Sequence, residues 1–348
     1  MTLRRLFGQG LDRVVIESMI GVVRHGDYVV PRTEGERFLA ECGLGDPSRF
    51  FPPLPPVPVQ EGETRLLEER PLYAVSEVRV PSPFPDASPP NDFISVRRFR
   101  THQKPRGKVL VLHGAMVRSR WPWDGLARRL AERSIEALVP SLPDHFERTR
   151  PGEHSGQYLI GGHLQRGLEV IRQGVTDVRA LVRWLRQEAG VPVGLIGCSM
   201  GGLIGGWAIA LEPLDFAVLV EPAVQLAPIV FETRLGYVVR RSLGRAGWSE
   251  TEMRQWLQAL SPASAQPLLP PERLLLVVPE YDGLVPPHSV ERAWERWGRP
   301  PLLRYPAGHI SIYFQRRPWQ DILAFVERWC EDRGGQRETG DRKEDDEA

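Results

Sequence analysis

A serine bounded by glycines, Gly-Cys-Ser-Met-Gly at 197–201, constrains the fold of this chain more than any other stretch. A short apolar run at 193–196 precedes it, and a longer run rich in small residues begins at Gly202. The first run has the length of a buried strand and the second that of a buried helix. The pattern therefore predicts a strand-to-helix turn so sharp that Ser199 is strained and that the flanking glycines have no room for a β-carbon.

Such a turn has chemical consequences for Ser199 and for the residue after it. The serine is lifted clear of the sheet above a helix N-terminus, and the backbone N–H of Met200 is left to point at a negatively charged oxygen. A serine hydroxyl is a poor nucleophile until a base takes its proton, and a third group must orient that base. The chain should therefore supply a second oxyanion donor, an acid and a histidine.

Asp282 and His309 meet the last two requirements. Each follows a short apolar segment that has the length of a strand, so both should lie on the same rim of the sheet as Ser199. The chain order of serine, acid and histidine is the one expected for a triad on this kind of sheet. Glu280 and Glu221 remain rival acids, because both lie near the ends of predicted strands.

The loop after the strand that ends at His113 should supply the second oxyanion donor, through the backbone N–H of Ala115 or Met116. His113 itself is expected to brace this loop and to lie near the substrate. Cys198 is next to the apex of the turn rather than at it, so a thiol nucleophile is not expected.

Another strand end is followed by His145, Arg148 and Arg150, which are candidates to line the substrate pocket near a negatively charged head group. The histidines at 145, 154 and 163 match no known spacing of metal ligands, so no metal and no other cofactor are expected.

Apolar segments alternate with amphipathic ones along most of the chain, which predicts a mostly parallel sheet covered by helices on both faces. The predicted strands are 72–80, 92–100, 108–114, 135–140, 193–196, 216–220, 273–279 and 302–305. The predicted helices are 11–25, 123–133, 163–189, 250–260 and 319–330, together with the run that begins at Gly202.

The same alternation divides the chain into parts. We expect an α/β core over 71–223 and 263–332, a small cap or lid inserted at 224–262, an N-terminal extension over 1–70 and a disordered charged tail at 333–348. The extension should hold the helix 11–25 and an extended connector at 47–58, which is too rich in proline for helix or sheet.

Charge and cysteine content narrow the class of protein. The 45 basic and 44 acidic residues leave a net charge of +1. The chain therefore lacks the excess of positive charge that is typical of proteins that bind nucleic acid or an anionic membrane surface. Three widely spaced cysteines imply no disulfide framework, and no stretch approaches the length of a membrane span. A cytoplasmic protein is the expectation, and the sequence does not indicate an oligomeric state.

The chain resembles the α/β-hydrolase superfamily over about residues 72–332. Gly197-Cys-Ser-Met-Gly-Gly202, Asp282 and Gly308-His309-Ile310-Ser311 carry the resemblance. With the helix 319–329, the same motifs are similar to a branch that includes a mitochondrial cardiolipin-deacylating hydrolase. The resemblance implies an α/β-hydrolase fold, with ester or thioester hydrolysis by Ser199, His309 as base and Asp282 as its orienter.

These observations favour a serine hydrolase that cleaves a carboxylic ester of a small molecule or lipid through an acyl-enzyme. An acyltransferase or a hydrolase of small peptides is an alternative, because nothing in the motif separates water from an alcohol or amine as acceptor. A catalytically silent binding protein on the same fold is a third interpretation.

Overall fold

The computed structural model describes residues 3–23, 29–51, 53–54, 62–84, 89–188 and 190–331. Within these residues nine strands form one sheet. The strands are β1 (Thr64–Glu69), β2 (Tyr73–Pro81), β3 (Phe93–Thr101), β4 (Gly107–Leu112), β5 (Ile135–Pro140), β6 (Val193–Cys198), β7 (Phe216–Val220), β8 (Leu274–Pro279) and β9 (Leu302–Tyr305).

The order of strands in the sheet is β1-β2-β3-β5-β4-β6-β7-β8-β9. The first three strands and the β3–β5 pair are antiparallel, and every pairing from β5 through β4 to β9 is parallel. Strands β4 to β8 are buried along their whole length, which is why they read as continuous apolar runs rather than alternating ones. The predicted α/β architecture with a mostly parallel central sheet is confirmed.

The helices, in chain order, are α1 (Leu3–Val23), α2 (Arg32–Cys42), α3 (Pro47–Phe50), α4 (Trp121–Ala131), α5 (Gln157–Gly161), α6 (Leu164–Gln187), α7 (Met200–Leu211), α8 (Leu226–Glu232), α9 (Tyr237–Arg245), α10 (Glu250–Ala259), α11 (Pro287–Arg296) and α12 (Arg316–Glu331). Helices α6, α7 and α11 pack on one face of the sheet, and α4 and α12 pack on the other. No helix among the described residues is long and apolar enough to cross a membrane.

The N-terminal part departs from expectation in three ways. Helix α1 begins at Leu3, well before the predicted start at 11. Strand β1 pairs with β2, so the sheet begins upstream of the expected core boundary at 71. The connector at 47–58 contains one helical turn, α3, which forms because the Asp46 carboxylate accepts a hydrogen bond from the Ser48 N–H at 2.9 Å. The rest of that connector and the tail at 333–348 lie largely or wholly outside the described residues.

The segment expected as a cap folds into α8, α9 and α10, which lie between β7 and β8 in the chain. Residues from all three helices line a cavity at the carboxyl ends of the parallel strands, where Ser199 also lies. The division of the chain into core, cap and extension remains a proposal, but this placement is the one that a cap requires.

Candidate active site

Ser199 lies between β6 and α7 with φ 53° and ψ −110°, a strained conformation for a residue with a β-carbon. A β-carbon on Gly197 would lie 2.3 Å from the carbonyl oxygen of Gly201. One on Gly201 would lie 2.4 Å from the carbonyl oxygen of Leu112. These contacts explain why both positions need glycine and why the serine is pushed out of the sheet.

Ser199, His309 and Asp282 come together in one chain of hydrogen bonds. His309 Nε2 lies 3.0 Å from Ser199 Oγ, and His309 Nδ1 lies 2.7 Å from Asp282 Oδ2. The other carboxylate oxygen of Asp282 accepts the N–H groups of Leu284 at 2.8 Å and Val285 at 2.7 Å. Each of the three groups therefore has the neighbour that a nucleophile, a base and an orienting acid require.

The two rival acids do not take that position. Glu280 is exposed and has no contact with the imidazole among its hydrogen bonds. Glu221 is fully buried, but its carboxylate lies 3.9 Å from His309 Nε2, on the serine side of the ring rather than at Nδ1. Tyr313 interacts with the Glu221 carboxylate, which accepts no backbone N–H among the residues that the structure describes. Burial raises the pKa of this carboxyl to about 8.

Glu221, Asp282 and His309 are also a set of ligand types that a metal could use, since their ligand atoms lie within 4.8 Å of one another. However, His309 Nδ1 and Asp282 are already hydrogen-bonded to each other, and Nε2 faces Ser199 Oγ. The donor set therefore fits a proton-transfer chain better than a metal site. Cys198 is buried beside the serine, and burial raises the pKa of its thiol far above the usual range, so a thiolate is disfavoured there.

Of the three oxyanion candidates, Met116 is placed where it cannot serve. Its backbone N–H donates to His145 Nε2 at 3.1 Å, because the loop folds back over that imidazole with Met116 at φ 53°. Of the two alternatives expected on this loop, the one that uses the Met116 N–H is therefore wrong. Ala115 lies beside Ser199 in the wall of the cavity, and Met200 is the first residue of α7, so these two remain the candidate donors.

His113, His145 and Arg148 are buried and do not line the cavity, which corrects the expectation that they contact substrate. His113 Nε2 accepts from the Leu142 N–H at 3.0 Å, and its Nδ1 lies 2.8 Å from the Gly114 oxygen, so it braces the loop as expected. Burial lowers the pKa of the His113 and His145 imidazoles, which favours the neutral form of each.

Arg148 is wholly buried and neutralised by protein groups. It donates to the Asp177 carboxylate at 2.8 Å and to the backbone oxygens of Ser141 at 2.9 Å and Asn91 at 3.1 Å. A guanidinium with these partners ties a loop to α6 and has no role in binding a head group. The sequence could not distinguish an arginine that is buried in an ion pair from one that lines a substrate pocket, because either can follow a strand directly.

The cavity next to Ser199 and His309 has a volume of about 390 Å³, which lies within the usual range of small-ligand sites. Its walls come from α1, α5, α6, the start of α7 and all three cap helices, and they are almost wholly apolar. Trp121 and Phe314, both of which line it, are 69% and 67% exposed. The arrangement suits a hydrophobic chain that ends at the serine.

The contribution of α1 was not anticipated from the sequence. Val15 and Met19 line the cavity, and Asp12 is buried against the loops that carry Asp282 and His309. The sequence did contain one signal, since Asp12 lies on the same face of the helix as Ile16 and Ile20. Amphipathic periodicity alone, however, predicts that an aspartate side chain faces solvent.

Residues 109–346 match the model of the alpha/beta hydrolase family. A protein of Mycobacterium tuberculosis described as uncharacterized is 30% identical over 249 residues, which cover 67% of this chain and 56% of the relative. The uncharacterized protein YdjC of Bacillus subtilis is 27% identical over 105 residues, or 30% of this chain and 90% of the relative. This chain thus spans about half the length of the mycobacterial relative.

Solved structures share the fold at low sequence identity. Acetyl xylan esterase 1 from Thermoanaerobacterium superposes with a TM-score of 0.60 at 15% identity, covering 90% of this chain and 98% of that one. The acetyl xylan esterase from Paenibacillus sp. R4 gives 0.58 at 14% identity, covering 84% and 93%. At this identity the likeness is one of fold alone. The narrower resemblance to the cardiolipin-deacylating branch stays a prediction.

Proposed function

Because this chain belongs to the alpha/beta hydrolase family, we propose that it is a serine hydrolase that cleaves a carboxylic ester through an acyl-enzyme on Ser199. The observation that carries the proposal is the hydrogen-bond chain from Ser199 Oγ through His309 to Asp282, at 3.0 and 2.7 Å. A strained serine at a helix N-terminus, placed against a buried imidazole and carboxylate, has the geometry of an activated nucleophile.

In the proposed reaction, Ser199 Oγ attacks the acyl carbon while His309 Nε2 accepts the hydroxyl proton. The backbone N–H groups of Met200 and Ala115 stabilise the oxyanion, an effect of about 3–4 kcal/mol per donor in comparable enzymes. His309 then returns the proton to the leaving alcohol. Water, deprotonated by the same imidazole, attacks the acyl carbon, and the bond between that carbon and Ser199 Oγ breaks. His309 gives the proton to Ser199 Oγ, and the carboxylic acid leaves.

The cavity supports an apolar acyl group as substrate. Its walls are formed mainly by aliphatic and aromatic side chains, and among the described residues no aspartate, glutamate, lysine or arginine lines it. The two histidines in the wall are His163 and the proposed base His309. Each methylene buried there should contribute about 0.8 kcal/mol. We therefore expect kcat/KM for nitrophenyl esters to rise about three- to fourfold per methylene until the cavity is filled.

A fluorophosphonate probe tests the proposal directly. The purified full chain should form a covalent adduct on the peptide that contains Ser199, detected by mass spectrometry, and should turn over nitrophenyl esters. Product formation that requires an added alcohol or amine would instead indicate acyl transfer. Absence of both labelling and turnover in folded protein would overturn the proposal and favour a binding protein.

Replacing Val239 by phenylalanine should shorten the preferred acyl chain. Val239 is half-buried on α9 and lines the cavity, so a larger ring takes up space that an acyl chain would fill. Loss of room for three methylenes should lower kcat/KM for the longest well-accepted ester by about 10- to 100-fold and leave acetyl ester hydrolysis unchanged. Val14→Phe is the matched control, because Val14 is 67% exposed and does not line the cavity. Equal losses for all chain lengths would contradict this position for the acyl group.

The pH profile should have an acid limb above the usual range of histidine. Burial by itself lowers the pKa of His309, but Asp282 and Glu221, followed by Asp12, outweigh it, so that the pKa is raised above 6.5. Because only the neutral imidazole accepts the serine proton, kcat/KM should fall as pH drops through this raised pKa. Measurement of kcat/KM from pH 5 to 10 checks this, and a midpoint at or below about 6.5 would contradict it.

A further inference from the structure

Helix α1 lies outside the part of the chain that matches the family model, which begins at residue 109. It nevertheless packs into the main core through Ile16, Ile20 and Val23. Its Val15 and Met19 side chains form part of the cavity wall. The helix is therefore placed within reach of both the substrate and the residues that act on it.

Asp12 connects this helix to the two loops that carry the acid and the base. Its Oδ2 accepts the N–H of Gly283 at 2.9 Å and the N–H of His309 at 2.8 Å, and its Oδ1 accepts the N–H of Ile310 at 2.9 Å. Asp12 is only 1% exposed. One buried carboxylate thus binds the residue after Asp282 and the backbone of His309 itself.

The backbones of α1 and the histidine loop meet without intervening side chains. A β-carbon on Gly8 would lie 2.7 Å from the Gly308 nitrogen, and one on Gly308 would lie 2.8 Å from the Gly8 oxygen and 2.7 Å from Asp12 Oδ2. Glycine at both positions allows the helix to approach closely enough for the Asp12 carboxylate to reach all three N–H groups. The contact is therefore built by several residues together.

We propose that Asp12 is a positioning residue of the active site, which fixes the acid loop and the histidine loop relative to each other so that Asp282, His309 and Ser199 stay in line. Without it, three N–H groups on two separate loops, one buried and two partly buried, lose their acceptor at once. Misplacement of a catalytic group by about 1 Å can lower the rate about 100-fold. The inference rests on the proposed hydrolase function.

The position also affects the charge around the imidazole. The titratable groups that face His309 are Asp282 and Glu221 at strand ends and Asp12 on α1, and Tyr313 interacts with Glu221 from the other side. The negative charge of Asp12 favours the imidazolium form. Its removal should therefore move the acid limb of the pH profile to lower pH, which a purely structural defect would not do.

The test compares Asp12→Asn with Glu17→Gln in the full chain. Both changes turn a carboxylate on α1 into an amide, but Glu17 is exposed and pairs with Arg234 at 2.9 Å, away from the triad. For Asp12→Asn we expect kcat with a nitrophenyl ester and the rate of fluorophosphonate labelling to fall about 10- to 100-fold. KM should change little, and the acid limb should shift to lower pH. Glu17→Gln should resemble the wild type in all four readouts.

The outcomes separate this inference from the proposed function. A wild type that neither hydrolyses esters nor labels would overturn the function itself. An active wild type, with Asp12→Asn equal to it in kcat and pH profile, would overturn the positioning role alone. Where Asp12→Asn shows lowered thermal stability, labelling is repeated at a temperature at which circular dichroism shows it fully folded. A labelling rate there equal to that of the wild type would overturn the role, and a slow rate supports it.

Discussion

Ser199→Ala should lower ester hydrolysis by about a million-fold, to the rate that the cavity and the oxyanion donors support without a nucleophile. The variant should fold normally, because the strain at this position lies in the backbone and, among the described residues, the hydroxyl is hydrogen-bonded to His309 alone. Turnover of a nitrophenyl ester and fluorophosphonate labelling are the measurements. Both should be lost.

In the proposed mechanism the three residues act as a unit, so His309→Ala should lose about as much activity as Ser199→Ala, and the double variant should lose little more. Additive losses in the double variant would mean that the two residues act independently. Wild-type turnover by Ser199→Ala would require a different nucleophile.

Asp282→Asn should lower kcat about 10⁴-fold while leaving the fold intact. The asparagine oxygen can still accept the N–H groups of Leu284 and Val285, as the carboxylate does at 2.8 and 2.7 Å. Its NH₂ group would instead donate to His309 Nδ1, which leaves the ring proton on Nε2. The imidazole then cannot accept the proton of Ser199.

Glu280→Gln is the matched control, since Glu280 is exposed near the same loop, and it should keep wild-type activity. Glu221→Gln should shift the acid limb to lower pH, because it removes a carboxyl 3.9 Å from His309 Nε2. If Glu221→Gln loses as much activity as Asp282→Asn, the assignment of the orienting role to Asp282 alone is contradicted.

Much of the core was predictable because fully buried parallel strands appear in the sequence as short, mostly apolar runs. The runs 135–140 and 216–220 coincide with β5 and β7. The turn at Ser199 was predictable from its glycine pattern. A β-carbon on Gly197 would lie 2.3 Å from the carbonyl oxygen of Gly201, so this requirement for glycine arises within five residues of chain. Chain order and strand ends then located Asp282 and His309.

Features that depend on contacts between distant segments were not predictable. Whether Met116 or Ala115 points its N–H at the substrate depends on where His145 lies, 29 residues downstream. The burial of Arg148 was not predictable because the carboxylate that pairs with it, Asp177, lies on another element 29 residues downstream. The role of Asp12 was not predictable because the three N–H groups that its carboxylate accepts lie 271 to 298 positions later in the chain.

The separation of 297 residues between Asp12 and His309 bears on when the protein becomes competent during its synthesis. Strands near the amino terminus can pair as they leave the ribosome, but the α1 contact has no partner until the histidine loop is made. Closing so long a loop is among the late and slow events of folding. The nascent chain would therefore carry a serine turn with no aligned base, and the proposed reactivity toward esters would arise only once the histidine loop has been made and contacts α1.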